Sequence, residues 1–148
     1  MRTRPAARIL VLNPEDRILL FRYTFNDGPL AGQDYWATPG GGVEKDESFE
    51  QAAQRELLEE TGLVHDIGRE IGQHAPVFQI PSGEFVKADE RYFMIRTPSN
   101  TICQDRLSSL EKIYLNQHHW WSQAELLSTT ETIFPEKLME LLEPFLEA

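Results

Sequence analysis

The segment from Ser48 to Gly62 constrains the fold most, because both ends and the buried face of a helix can be located in it. Strong helix formers fill Phe49–Thr61. Ser48 is a natural N-cap, and Gln51 three residues later completes a capping box. Gly62 stands where helices commonly end in a left-handed residue. The sequence therefore predicts a helix over Phe49–Thr61.

Three glutamates lie on the apolar side of this helix. At about 100° per residue, Glu56 and Glu60 fall inside the apolar stripe and Glu59 falls at its edge. The stripe consists of Phe49, Ala52, Ala53 and Leu57. Like charges at these spacings repel, and raised pKa values or a bound cation would relieve the repulsion. Two interpretations stay open, a solvated acidic face and a metal-and-phosphate site, and the apolar placement favours the second.

A run of glycines precedes the helix. Gly40, Gly41 and Gly42 follow Pro39, and the absence of side chains there lets the backbone turn sharply or approach another group closely. Clustered carboxylate oxygens suit Mg²⁺ or Mn²⁺, and Mg²⁺ often completes its coordination shell with substrate phosphates. The glycines and the acidic helix together therefore favour a site for a metal and a phosphate.

The rest of the chain mixes strands and helices without regular alternation, which predicts an α+β fold or an α/β/α sandwich. Its 148 residues suit one domain over residues 1–148. The first two predicted strands, Arg8–Asn13 and Arg17–Arg22, form a hairpin. The segment Leu63–Ile80 is predicted to hold either one long strand or two short ones. Two further strands are predicted over Glu84–Arg96 and His118–Ser122. The predicted loops are Thr24–Asp34 and Thr97–Leu110, and the further helices run from Ser122 through Leu127 and from Pro135, with Leu138, Leu141, Leu142 and Phe145 on the apolar side of the last.

Composition excludes several functional classes. The net charge of −10 disfavours binding to a long nucleic acid, but a bound cation can still bring in a small phosphorylated substrate. Cys103 is the only cysteine, so an intrachain disulfide and a multi-cysteine zinc site are excluded. No motif for nucleophilic catalysis surrounds this thiol. No signal core and no run of about 18 apolar residues occurs, so no transmembrane helix and a cytoplasmic location are expected.

The segment from Gly41 to Leu63 resembles the Nudix box, the signature of the Nudix hydrolase family. Every fixed position of that signature is filled without a gap, by Gly41, Glu47, Arg55, Glu56, Leu57, Glu59, Glu60, Gly62 and Leu63. The preceding residues, 36–44, are similar to the usual lead-in to the box. The resemblance implies an α/β/α sandwich with a mixed β-sheet between helices. It also implies metal-dependent hydrolysis of a diphosphate linkage in a nucleoside diphosphate joined to another moiety, with Mg²⁺ or Mn²⁺ as cofactor.

The resemblance assigns roles to individual residues. Glu59 and Glu60 would be the main metal ligands, and Glu56 would be a further ligand or the base that activates water. The backbone carbonyl of Gly40 would be another ligand. Glu47 and Arg55 would form an ion pair that holds the loop against the helix, and these two residues, with Gly41 and Gly62, are interpreted as structural.

Beyond the box the resemblance is weaker. The segment 118–126 is similar to the one that closes many sheets of the family, and many members place one more acidic residue outside the box. Glu111 is the first candidate for that residue and Glu90 the second, although either could be a surface glutamate. His118 and His119 stand beside two tryptophans, so packing is favoured over a role as base.

Substrate choice lies outside the box, in loops and aromatic residues. The loop Thr24–Asp34, Trp36, Tyr92 and Trp120 are candidates for a substrate pocket, and each could equally belong to the core. The expected partner is a small nucleotide-like diphosphate, with no membrane contact, and a homodimer is a reasonable expectation.

Three alternatives compete with the hydrolase hypothesis. A catalytically silent Nudix-like sensor of nucleotides is disfavoured, because such domains usually lose box carboxylates and this chain keeps all of them. A related isoprenoid diphosphate isomerase would be longer and would carry a catalytic cysteine motif. An unrelated protein with an acidic helix is disfavoured by the complete box.

Overall fold

The computed structural model describes the backbone of residues 1–146 and the side chains of these residues except those at positions 110, 113, 114 and 116. The strands are β1 Arg2–Leu12, β2 Ile18–Thr24, β3 Asp34–Ala37, β4 Gly40–Gly42, β5 Gly72–His74, β6 Val77–Gln79, β7 Phe85–Arg96, β8 Leu115–Trp121 and β9 Ile133–Phe134. The helices are α1 Phe49–Thr61, α2 Ser109–Tyr114, α3 Gln123–Ser128 and α4 Leu138–Leu142, followed by a 3-10 turn over Glu143–Phe145.

A mixed sheet forms the centre of the fold. Its main path runs β5-β7-β1-β2-β3-β9, with β1 parallel to β7 and antiparallel to β2. Strand β1 changes partner along its length, because Ala6–Arg8 pair with β4 whereas Leu12 pairs with Ile18 of β2. The sheet therefore opens between β4 and β2, beside the start of the segment that leads to α1.

Each face of the sheet is covered by a different helix. Alternate side chains of a strand point to opposite faces, so Ile9 and Val11 pack with Leu57 of α1, while Leu10 and Leu12 pack with Leu138 of α4. The predicted α/β/α sandwich is confirmed. Among the described residues no helix combines the length and the apolarity that a membrane crossing requires.

The local signals around α1 are confirmed in detail. The Ser48 side chain accepts a hydrogen bond from the Gln51 backbone N–H, the Gln51 side chain accepts from the Ser48 N–H, and Gly62 has φ of 74°. The hairpin of β1 and β2 is also confirmed, although β1 begins at Arg2 and not at Arg8. The strand predicted over Glu84–Arg96 is present as Phe85–Arg96, and Ser122 caps α3 as expected.

Other boundaries were wrong. The closing helix α4 begins at Leu138 and not at Pro135, and the predicted loop Thr97–Leu110 already contains the start of α2 at Ser109. For the segment Leu63–Ile80 the second of the two predicted alternatives is confirmed, since it contains the two short strands β5 and β6. The strands β3, β4 and β9 were not predicted, because two to four residues carry too little pattern to be distinguished from a loop.

Candidate active site

Helix α1 turns two of its glutamates into the protein interior. Glu56 is 7% exposed and Glu60 is 1% exposed, whereas the side chain of Glu59 is 35% exposed. This distribution agrees with the helical wheel, which placed Glu56 and Glu60 inside the apolar stripe and Glu59 at its edge. Burying two carboxylates one helical turn apart is costly unless a partner compensates the charge.

A third carboxylate, from α2, joins the two buried ones. One oxygen each of Glu56, Glu60 and Glu111 lies within 4.8 Å of the others. Glu111 is held there by the capping box of α2, in which its Oε1 accepts a hydrogen bond of 3.0 Å from the Ser108 backbone N–H. The residue proposed first as the acidic group outside the box is therefore brought to the carboxylates of α1. The pattern of Ser108 followed by Glu111 marks the start of α2 in the sequence but does not indicate its contact with α1.

The glycine strand β4 lies directly against this cluster. The Gly40 N–H donates to Glu60 Oε1 at 3.2 Å. A Cβ atom on Gly41 would lie 2.6 Å from Glu56 Oε1, so a side chain at this position would displace the carboxylate. The close approach expected of the triple glycine is present, and its partners are the buried glutamates.

Burial and mutual repulsion govern the charges of the cluster. Burial raises the pKa of Glu60 well above its usual range, and the charge of Glu56 raises it further, against the Gly40 N–H and Arg8. Burial also raises the pKa of Glu56, while the hydrogen bond from Arg55 opposes this. Such a set of oxygen donors is under-neutralised by protein groups alone and suits a hard divalent cation.

Arg55 ties the loop before α1 to the helix. Its Nε and Nη2 donate to the two carboxylate oxygens of Glu47 at 2.9 and 3.0 Å, and Nη2 also donates to the Gly42 carbonyl at 2.9 Å. Its Nη1 donates to Glu56 Oε1 at 2.9 Å and to Glu59 Oε2 at 3.4 Å. The expected pair of Arg55 and Glu47 is present, and the same guanidinium also orients Glu56.

Glu90, the second candidate for the extra acidic residue, belongs to a separate network. Its Oε2 accepts from Arg8 Nε at 3.3 Å and its Oε1 accepts from the Tyr92 hydroxyl at 3.0 Å. The Nη1 of Arg8 donates to the carbonyls of Thr38 and Gly40, at 3.1 and 3.3 Å. The Gly40 carbonyl, which was expected to bind the metal, thus accepts a hydrogen bond from the Arg8 guanidinium in this structure. The sequence had no signal for Arg8, because the register of β1, β4 and β7 brings these groups together.

A cavity of about 490 Å³ opens beside this network. Arg8, Glu90 and Tyr92 line it, together with the aromatic residues Tyr35, Phe78 and Phe85. Its rim is apolar and open to solvent, since Phe85 is 56% and Phe134 is 40% exposed. Exposed aromatic groups around a polar floor are typical of a ligand pocket.

The tryptophan candidates lie elsewhere. Trp36 is buried edge-to-face against Trp121, with ring centroids 5.2 Å apart, and lines a different cavity of about 710 Å³ with His118 and His119. Trp120 belongs to the core on the α1 side, and its indole N–H donates to the Asn100 carbonyl. Of the aromatic residues proposed for substrate binding, Tyr92 is the one that the fold brings to the cavity beside β4.

The paired histidines engage neighbouring side chains. The His119 ring packs edge-to-face on Trp121 at 5.2 Å, and its Nε2 lies 3.0 Å from Glu125 Oε2. The His118 ring packs edge-to-face on Phe21, and burial lowers its pKa. These contacts agree with the packing interpretation.

Fold and site together define a small α+β domain with a carboxylate cluster at the opening of its sheet. The family model described as NUDIX domain matches residues 2–142 of the chain. The chain therefore belongs to the NUDIX-domain family.

Known proteins resemble the chain in sequence and in structure. It is 43% identical over 60 residues to an RNA pyrophosphohydrolase of Hahella chejuensis, covering 40% of the chain and 33% of that protein. It is 43% identical over 74 residues to a putative 8-oxo-dGTP diphosphatase of Bacillus subtilis, covering 49% of the chain and 45% of that protein. These alignments span less than half the length of either relative. The crystal structure of a MutT protein from Methanosarcina mazei superposes with a TM-score of 0.68 at 23% identity, covering 97% of this chain and 93% of that one, which shows the shared fold.

Proposed function

We propose that the chain hydrolyses a diphosphate linkage in a nucleoside diphosphate joined to another group, with a divalent metal as cofactor. The observation that carries this proposal is the convergence of Glu56, Glu60 and Glu111 against the glycine strand. Two sequence relatives, one named a pyrophosphohydrolase and one a putative diphosphatase, support the reaction class.

The donor set fits Mg²⁺ or Mn²⁺. Glu56, Glu60 and Glu111 would hold the metal, with Glu59 at the exposed edge of the same helix as a further ligand. All of these donors are carboxylate oxygens, which hard divalent cations prefer. When bound, the metal would neutralise the diphosphate and lower the pKa of the attacking water.

Side chains of the chain would orient the reaction. Arg55 binds Oε1 of Glu56 and so fixes this carboxylate against β4, which leaves Oε2 either to bind the metal or, if the other carboxylates hold the metal, to accept the proton of the attacking water. The raised pKa of Glu56 suits it to that role. Glu47 and Gly42 in turn hold Arg55, which keeps this geometry in place before a substrate arrives.

The aromatic cavity beside β4 would hold the nucleoside part of the substrate. Planar bases stack favourably on aromatic side chains, and Phe85, Phe134 and Tyr35 offer such surfaces at the cavity. Arg8 lines this cavity and also contacts the Gly40 carbonyl. A diphosphate attached to a base in this cavity would therefore extend towards the carboxylate cluster.

The test is a panel of nucleoside triphosphates, nucleotide sugars, ADP-ribose and dinucleoside polyphosphates with Mg²⁺ or Mn²⁺, followed by release of phosphate or pyrophosphate. We expect metal-dependent turnover that falls at least about 100-fold in Glu60→Gln. Glu111→Gln should raise the Mg²⁺ concentration needed for half-maximal rate by about tenfold or more. Full activity in Glu60→Gln would contradict the assignment. Binding of a panel compound without turnover would favour the sensor alternative.

A further inference from the structure

Three arginines of β1, Arg2, Arg4 and Arg8, face the same side of the strand, and within the described part of the chain Arg4 is the one without an ionic partner. Arg2 pairs with Glu84 at 2.9 Å, and Arg8 pairs with Glu90 at 3.3 Å. Within residues 1–146, no carboxylate lies within 4.0 Å of the Arg4 guanidinium. Arg4 is nevertheless partly buried, a situation in which a charged group normally has a partner.

The strands beside Arg4 leave room for its guanidinium. Its register partner on β7 is Ala88, and Gly42 pairs with Ala6, the next residue of β1 on the same side. A Cβ atom on Gly42 would lie 3.2 Å from Arg4 Nη2 and 3.6 Å from Cζ. The guanidinium therefore lies over the backbone of Gly42, in space that a side chain would otherwise occupy.

This position adjoins the carboxylate cluster. Glu56 lies over Gly41 in the same way that Arg4 lies over Gly42. Successive residues of a strand face opposite sides, so the carboxylate and the guanidinium flank β4 from its two sides. Arg4 is thus a cation on the other side of β4 from Glu56, near enough for the charges of Glu56 and Glu90 to act on it.

The electrostatic setting favours an anion beside Arg4. Burial lowers the pKa of its guanidinium, and the positive charge of Arg8 lowers it further, while Glu56 and Glu90 act in the opposite direction. An arginine stays ionised at neutral pH in spite of such a shift. A phosphate would supply the missing partner, since the planar guanidinium binds two of its oxygens at once.

We propose that Arg4 binds a phosphate group of the substrate at the edge of the carboxylate cluster, with its guanidinium packed over the backbone of Gly42. The inference rests on the proposed function, since the phosphate belongs to the same diphosphate. It concerns binding of the anion and not the chemical step.

The test is the dissociation constant of inorganic pyrophosphate in the presence of Mg²⁺, measured by calorimetry on the full chain. Arg4→Gln should weaken binding about 10- to 100-fold, the loss expected for charge-assisted hydrogen bonds. Arg2→Gln is the matched control, because Arg2 is an exposed arginine of the same strand with its own partner, and it should bind within about twofold of the unchanged protein. Gly42→Ala should weaken binding less than Arg4→Gln does, because its Cβ would lie 3.2 Å from Arg4 Nη2 and would shift the guanidinium only slightly.

Thermal unfolding separates a binding role from a structural one. Arg4→Gln removes no ion pair among residues 1–146 and should leave the melting temperature unchanged or slightly higher. Absence of pyrophosphate binding to the unchanged protein, equal weakening in Arg2→Gln, or a marked loss of melting temperature in Arg4→Gln would each overturn the inference. Pyrophosphate binding that depends on Arg4 without turnover of any panel compound would refute the hydrolase and leave the anion site standing. Turnover of a panel compound with the KM unaffected by Arg4→Gln would refute the anion site alone.

Discussion

Replacing Glu60 by glutamine should stabilise the metal-free protein while removing its response to metal. Glu60 is 1% exposed and its pKa is raised by burial and by Glu56, so its negative charge is held at a cost. Glutamine has nearly the same shape and helix propensity, and its carbonyl oxygen can still accept the hydrogen bond from the Gly40 N–H. The substitution therefore removes the charge and keeps the packing.

The magnitude follows from the spacing of the carboxylates. Their oxygens lie within 4.8 Å of one another, and at an effective dielectric constant of about 20 two full charges at that distance repel by about 3.5 kcal/mol. In Glu60→Gln the attraction to Arg8 and the hydrogen bond from the Gly40 N–H are also weaker, which reduces this gain by about 1 kcal/mol. We expect a net gain of about 1–3 kcal/mol in the free energy of unfolding, or about 3–10 °C in melting temperature for a chain of this size.

The pH dependence gives the sign of the effect. Because the pKa of Glu60 is raised above its ordinary value of 4.5, the unfolded chain releases this proton at lower pH than the folded protein does. The stability of the unchanged protein should therefore fall as the pH rises from 4.5 through the raised pKa, whereas that of Glu60→Gln should fall less, since only Glu56 with its own raised pKa remains in the variant. The stability difference should be near zero at pH 4 and should grow towards pH 8.

The assay is urea denaturation in EDTA at several pH values, repeated with Mg²⁺. Glu59→Gln serves as the control, because Glu59 is more exposed and should change stability by less than about 0.5 kcal/mol. With Mg²⁺ the order should reverse, since the unchanged protein gains binding energy that the variant lacks. A Glu60→Gln protein that is less stable than the unchanged protein in EDTA at pH 7–8 would refute the reasoning.

Two further substitutions test the scaffold of the site. Arg55→Lys should lower the free energy of unfolding by about 1–3 kcal/mol in urea denaturation. The reason is that lysine cannot bind both oxygens of Glu47 and still reach Glu56. Equal stability of the variant would show that the paired hydrogen bonds from Arg55 to Glu47 are dispensable. The hydrogen bond from the Ser122 backbone N–H and then the contact with His119 lower the pKa of Glu125 to about 2. The contribution of the Glu125 carboxylate to stability is therefore present above the ordinary pKa of 4.5 and is lost as the pH falls towards 2. The stability difference between the unchanged protein and Glu125→Gln should shrink over that range in denaturation curves, and a difference that stays constant with pH would count against this account.

Helix α1 and its acidic face could be predicted from sequence because their causes are local. Ser48 and Gly62 mark the ends of the helix through contacts within one turn, and the positions of Glu56 and Glu60 follow from the helical period. The resemblance to the Nudix box added the reaction class and the pair of Arg55 with Glu47, which the structure contains.

The identity of the acidic residue outside the box could be proposed but not located from sequence. Glu111 and Glu90 were both candidates, and the spacing along the chain does not say which of them meets α1. The fold brings Glu111 to the cluster on a short helix, while the register of β7 against β1 assigns Glu90 to Arg8.

What the sequence alone determined about this protein is the acidic helix, its caps and its family signature, since each depends on residues close together along the chain. Tertiary structure decided where the chain meets itself. It opened the sheet beside β4, placed the guanidinium of Arg4 over Gly42 and turned Trp36 into the core and Tyr92 towards the cavity. These features depend on strand pairing between residues dozens of positions apart, and such register follows from the packing of both faces of the sheet and not from any local pattern.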